Sequence, residues 1–68
     1  MKLTFNFVKG TQVEGKIIEK AEGWNEYTSE QVKQIIDSLL NGYKLSFNCD
    51  KKELIIESSQ VDSVTIHL

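Results

Sequence analysis

The sequence predicts an α+β domain in which one amphipathic helix packs across one face of a small antiparallel sheet of four or five strands, in the order ββαββ(β). Two observations carry that expectation. Residues 28–42, TSEQVKQIIDSLLNG, have helical apolar spacing between a start signal and a stop signal. The segments on either side alternate apolar and polar residues with the period of a half-buried strand. All of residues 1–68 fall in a single domain, with the helix as the element the strands are expected to organise around.

In chain order, Lys2 to Val8 sets Leu3, Phe5 and Phe7 on one face and Thr4, Asn6 and Val8 on the other. Lys9-Gly10-Thr11 reads as a tight loop and Thr11 or Gln12 to Ala21 as the return strand. Parity selects the loop length. A three-residue loop opposes Phe7 to Val13, Phe5 to Gly15 and Leu3 to Ile17. A two-residue loop turns the apolar set away from the core, because a shift of one residue flips every side chain. Gly15 is then a core position covered by Phe5. Glu22 to Tyr27, EGWNEY, follows neither period and joins the return strand to the helix.

In the helix, Thr28 is placed to accept a first-turn N–H and Gln31 to reach back, a capping box. Tyr27 and Val32 flank the cap as a hydrophobic staple, and Glu30 sits where the helix dipole favours negative charge. Val32, Ile35, Ile36, Leu39 and Leu40 form one stripe, and Gly42 can take the left-handed conformation that ends a helix. Beyond it, Tyr43, Leu45 and Phe47 alternate inward as a third strand, and Asp50-Lys51-Lys52 reads as a turn. Glu53 to Glu57 returns as a fourth, with Leu54 and Ile56 beside Leu45 and Phe47 and with Ile55 outside. Ser58 to Val61 suits a helical turn or bulge. Ser63 to Leu68, with Val64, Ile66 and Leu68 inward, is a fifth strand or the bent continuation of the fourth.

Composition narrows the function. The net charge is −2 with no charged block. All eight basic residues are lysine, and arginine's planar fork is the usual tool for bidentate phosphate and base contacts. Nucleic acid is therefore not an expected partner. Cys49 is the single cysteine, so an intrachain disulfide and a thiolate cluster for zinc are excluded. With no apolar leader and no apolar run of membrane length, a cytoplasmic location is expected, with no membrane partner. Lysine without arginine, with many Ile and Asn, is what an AT-rich gene gives, and a phage or mobile element is the expected kind of source.

No catalytic constellation is visible. His67 lacks the further ligands that a metal site needs. Cys49 beside Asp50 and Lys51 lacks an oriented base. Glu22, Glu26 and Glu30 read as solvated charges near a helix start, and no Ser elbow, glycine-rich phosphate loop or EF-hand spacing occurs. No enzyme activity, metal or cofactor is expected. What remains is apolar surface. Val8, Ile18 and Ile55 fall on the outer sheet face, and Trp24 and Tyr27 sit in the irregular loop, where aromatic residues serve as contact anchors. Scattered exposed aliphatics account for the first three equally well, as core plugging does for the aromatics.

The leading expectation is a small non-enzymatic protein-binding module of accessory or inhibitor type, self-associating as a homodimer or binding another protein, through Val8, Ile18, Ile55, Trp24 and Tyr27. One alternative is weak nucleic-acid binding through Lys16, Lys44 and Lys52 on the outer face. A second is a small-ligand binder or minimal enzyme whose site forms between subunits, where two His67 or two Cys49 side chains meet.

Overall fold

The computed structural model describes residues 1–49 and 52–68. The expected turn at Asp50 and Lys51 lies outside the described residues. Among those described, the elements in order are β1 (Lys2–Phe7), β2 (Gln12–Val13), β3 (Lys16–Ile17), β4 (Lys20–Glu22), α1 (Ser29–Leu40), β5 (Leu45–Cys49), β6 (Lys52–Ile56), a 3₁₀ turn at Ser58–Gln60, and β7 (Val61–His67). The chain is α+β with antiparallel pairing throughout. The single sheet in ββαββ(β) order is not what forms. The strands divide into a three-stranded sheet, β4-β1-β7, and two separate pairs, β2-β3 and β5-β6.

Strand β1 is the centre. Its inward residues Leu3, Phe5 and Phe7 are buried, as the alternation predicts. Ala21, Val32, Phe47, Leu54 and Ile56 complete the core. The Phe5 and Phe47 rings meet edge to face with centroids 4.4 Å apart, a preferred aromatic geometry. Phe47 comes from the second pair of strands, so this contact holds the two sheets together. An isolated bridge between Gly23 and Cys49 joins them along the backbone.

The expected first hairpin is corrected. Phe5 pairs with Ala21, Thr4 with Glu22 and Asn6 with Lys20. The partner of β1 is thus β4, and residues 8–19 leave the sheet as a separate arm. The arm closes at Glu14 (φ 54°) and Gly15 (φ 77°), two successive left-handed residues that fit the tightest hairpin turn, in which φ is positive at both central positions. Gly15 is a turn residue, not a core position. Inward and outward also exchange along the arm. Ile17 is exposed, and Ile18, expected outside, packs against the core. Parity was applied to the wrong loop: it fixes faces only for strands paired directly, and a second turn intervenes.

The helix signals are met. Thr28 Oγ1 accepts from Gln31 N–H at 3.2 Å, and Gln31 Oε1 accepts from Thr28 N–H at 2.9 Å. At the far end Gly42 N–H donates to Leu39 O and Tyr43 N–H to Ser38 O, with Gly42 at φ 78°, the Schellman arrangement. The stripe is less buried than its spacing predicts. Val32 alone is buried, Ile35, Ile36 and Leu39 are half-buried, and Leu40 is exposed. The helix has β5 as its main strand neighbour, so one narrow strip of its surface is covered.

The β5–β6 pair matches expectation, with Leu45 opposite Ile56 and Phe47 opposite Leu54 and Ile55 exposed. Tyr43 is exposed rather than inward, because the residue after the Schellman turn precedes the strand. The 3₁₀ turn separates β6 from β7, which is a strand of its own. It runs antiparallel to β1, with Thr4 opposite Thr65 and Phe5 opposite Val64. Ile66 and Leu68, expected inward, are exposed, since β7 is the last strand of its sheet.

Candidate functional site

Segment 23–28, between β4 and α1, is pinned at both ends. Gly23 N–H donates to Leu3 O and Tyr27 N–H to Met1 O, each at 2.8 Å. The Met1 amino group donates to Tyr27 O at 2.9 Å and pairs with Glu26 Oε2 at 2.8 Å. That hydrogen bond and the positive charge behind it hold the Glu26 carboxyl below its ordinary value of 4.5, with Lys2 adding a smaller pull. Gly23 is pressed against Phe47: a β-carbon there would lie 2.9 Å from Cε1 of the ring and closer still to Cζ. Only glycine lets the ring and backbone approach this closely. Between these anchors Trp24 projects into solvent and Tyr27 is half-buried against the core. Tyr27 also lines an open groove with Gln31, Gln34, Ile35, Ser38 and Leu45.

The three outer aliphatics have different surroundings. Val8 is tied through its N–H to Gln60 O. Ile55 lines a shallow groove with Val13 and three glutamates, Glu14, Glu53 and Glu57. Ile18 lines a different one with Phe7, Ile17 and the charged rim of Lys9, Glu19 and Asp62. Of the three residues expected on one outer face, Ile18 packs against the core, whereas Val8 and Ile55 are exposed, and Gln60, which bonds Val8, also lines the groove of Ile55.

The most exposed apolar side chains include four that sequence reasoning placed inward, one of them Leu68, which follows β7. Leu40 is 80% exposed, Ile17 71% and Tyr43 65%, beside Ile55 at 56% and Trp24 at 53%. For Ile17 the missed signal is Glu14-Gly15, a two-residue turn one step before it. For Leu40 and Tyr43 it is the stop at Gly42, which carries the chain off the core just where both residues fall.

His67 lies on the outer face with Nε2 2.8 Å from Oγ1 of the buried Thr4. Its ring is thereby engaged in covering a polar group of β1. Cys49 is half-buried at the end of β5. Among the described residues, no cluster of three or more His, Cys, Asp or Glu side chains is placed to hold a metal ion. Nor is any described helix long and apolar enough to cross a membrane.

The chain matches no protein-family model, no curated protein and no solved structure. A functional reading has to come from the residues themselves. On the outer face of the β5–β6 pair, Lys44 lies 3.4 Å from Glu57, and Ser46 Oγ donates to Glu53 at 2.5 Å. The surface that a nucleic acid would need carries its own carboxylates.

Proposed function

We propose that this chain is a non-enzymatic protein-binding module that self-associates, of the accessory or inhibitor type that a phage or mobile element would encode. The observation that carries the reading is the exposure of large apolar side chains. Leu40, Ile17, Tyr43, Ile55 and Trp24 are each more than half exposed on a chain of 68 residues. A small domain has little apolar surface to leave in water, and apolar surface in excess is what interfaces are made from. Trp24 is the proposed anchor, since an aromatic ring on a pinned loop loses little freedom on binding. Ile55, Val8 and the half-buried Tyr27 are proposed as further contacts, with Ile17 taking the place assigned to Ile18. The pairing of Lys44 with Glu57 favours this reading over the nucleic-acid alternative.

The test is the solution mass across a concentration series. Self-association predicts a mass that rises from 7.8 kDa toward twice that value. A fixed mass of one chain at every concentration removes self-association. Binding to another protein is then tested by comparing wild type with Trp24→Ala and Ile55→Glu as bait. If the wild type retains nothing that the variants lose, the module reading fails as a whole.

A further inference from the structure

Among the described residues, strand β7 has a strand neighbour on one side only, and the hydrogen bonds around β1 show which of its backbone groups are left over. Leu3 O accepts from Gly23 N–H and Phe7 N–H donates to Glu19 O. In an antiparallel strand the N–H and C=O of one residue point to the same side, and successive residues alternate. Leu3, Phe5 and Phe7 therefore direct their backbones toward β4, and Thr4 and Asn6 direct theirs toward β7. The Val8 N–H to Gln60 O bond has the same parity. Thr4 pairs with Thr65 and Asn6 with Ser63, so Ser63 and Thr65 are the β7 residues bonded to β1. Val64 and Ile66 point their N–H and C=O groups the other way, to the outer edge, where no described strand is paired.

Apart from β5, which is bridged to Gly23 at its Cys49 end, the other described edges are guarded and this one is not. Proteins protect strand edges with shortness, charge, proline or a covering segment. Strands β2 and β3 are two residues long. Strand β4 has three residues, carries the Lys20–Glu22 ion pair, and is followed by the Gly23 bridge to Cys49. Strand β6 opens with Lys52 and Glu53, and Lys52 and Leu54 share a groove with Val13, Glu14 and Lys16 of the arm. Strand β7 has seven residues, VDSVTIH, with no lysine and no proline. Its irregularity sits at one end, where the register shifts between Asn6 and Phe7, and the run from Ser63 to His67 is regular. On its core face Val64 is half-buried and Ile66 exposed, next to the buried Phe5 and Leu3 they pair with.

We propose that the outer edge of β7 is the self-association surface, and that its occupant is β7 of a second copy, antiparallel across a two-fold axis through Thr65. This rests on the self-associating reading above and places the contact between copies at β7, which leaves Trp24 and Ile55 as contacts for another protein. Two features select a second copy. Antiparallel pairing about Thr65 opposes Val64 to the partner's Ile66 and Ile66 to the partner's Val64, which gives about four backbone hydrogen bonds and extends the apolar face of one sheet into the other. It also sets the end of the strand carrying Asp62 beside the partner's end carrying His67, whereas a parallel pair would set like ends together. The interface is isologous, so it closes at two copies, and the charged far edge at β4 does not offer a second site for growth.

The experiment joins solution mass with two kinds of variant. Ile66→Lys places a charge on the edge at a position already exposed, and is expected to weaken dimerisation at least tenfold, with the monomer's circular dichroism unchanged. In a Cys49→Ser background, Thr65→Cys sets two thiols at the axis, where facing α-carbons of such a pair lie about 4.5 Å apart, within disulfide reach. Mild oxidation is expected to give a covalent dimer in high yield, and Lys33→Cys in the same background, at an exposed position of α1, is not. A dimer that Ile66→Lys leaves intact and Thr65→Cys fails to cross-link overturns the β7 edge while leaving self-association standing. A wild-type chain that stays monomeric overturns both. A species that grows beyond two copies overturns the closed two-fold pair.

Discussion

Strand β1 has six residues and buries the side chains of four of them; helix α1 has twelve and buries one. Both begin from clear local patterns. The difference lies in how many sides are occupied. Strand β1 has β4 and β7 on its two edges and the Phe47 ring over its core face. The helix is held by good caps at both ends and touches mainly β5. A periodic pattern states which face of an element turns inward. How deeply that face is buried depends on the elements that come to lie around it, and these are set by long-range pairing.

The largest expected effect separates the two regions directly. Phe5→Ala removes a fully buried ring and its contact with Phe47, a loss of about 3–5 kcal/mol. A domain of this size holds only about 3–5 kcal/mol in total, so the variant is expected to be largely unfolded by circular dichroism without denaturant. Leu40→Ala, on the apolar stripe of the helix, is expected to stay within about 0.5 kcal/mol of wild type in urea. Comparable losses at the two positions would mean that the helix end is packed as tightly as the strand, and the contrast would fail.

Gly23→Ala sharpens the same contrast at the junction between the sheets. The added carbon meets the Phe47 ring and also lies 3.2 Å from Leu3 O, so either the ring or β1 must shift. The expected cost is about 1–3 kcal/mol, read from the urea midpoint. In a Phe47→Leu background the ring is gone and the added cost of Gly23→Ala should fall by at least half. An unchanged cost would place the strain in the backbone rather than in the ring.

How much of this was legible follows from the same division. Everything encoded within a few residues of itself could be read: the Thr28–Gln31 box, the stop at Gly42, the inward trio Leu3, Phe5 and Phe7, and the shared face of Phe47 and Leu54. What failed was partner choice over distance. The return to β1 comes at Ala21 instead of Gly15 because the arm has its own turn, and Glu14 is an unusual residue for a left-handed position, so the turn carried a weak signal. Of the three apolar residues expected on one outer face, Ile18 packs against the core while Val8 and Ile55 are exposed as expected. Ile55 was legible as an exposed residue and Trp24 was open between core plug and contact anchor, whereas Ile17, Leu40 and Tyr43 were misplaced wherever a turn beside them took the chain off the core.

The caps test whether the helix depends on its own ends, as its shallow burial implies. Thr28→Ala deletes the acceptor for Gln31 N–H and is expected to cost about 1 kcal/mol. Thr28→Ser keeps the oxygen and should restore most of that loss. Because α1 has little tertiary support, part of the cost should appear as fraying of its first turn, seen as faster amide exchange at Gln31 and Val32 with β1 amides unchanged. Equal acceleration in β1 would show that helix and sheet open together as one unit.

The smallest expected effect is at Glu26, where the loop is fastened to the start of β1. The amino group of Met1 lowers the folded pKa of this carboxyl below 4.5. A group with a depressed folded pKa adds stability that is present above its unfolded pKa and disappears as pH falls through the folded one. Wild type should therefore exceed Glu26→Gln in urea midpoint at neutral pH, and the gap should close in acid as pH falls through the depressed folded value. The side chain is exposed, so added salt should narrow the gap as well. Acetylating the amino group should remove most of it, since the larger causes act through the Met1 charge and Lys2 supplies only a smaller pull. A gap that persists in acid would assign the Glu26 contribution to packing of the loop, and the comparison would then place segment 23–28 with the rigid β1 region rather than with the lightly held helix that it precedes.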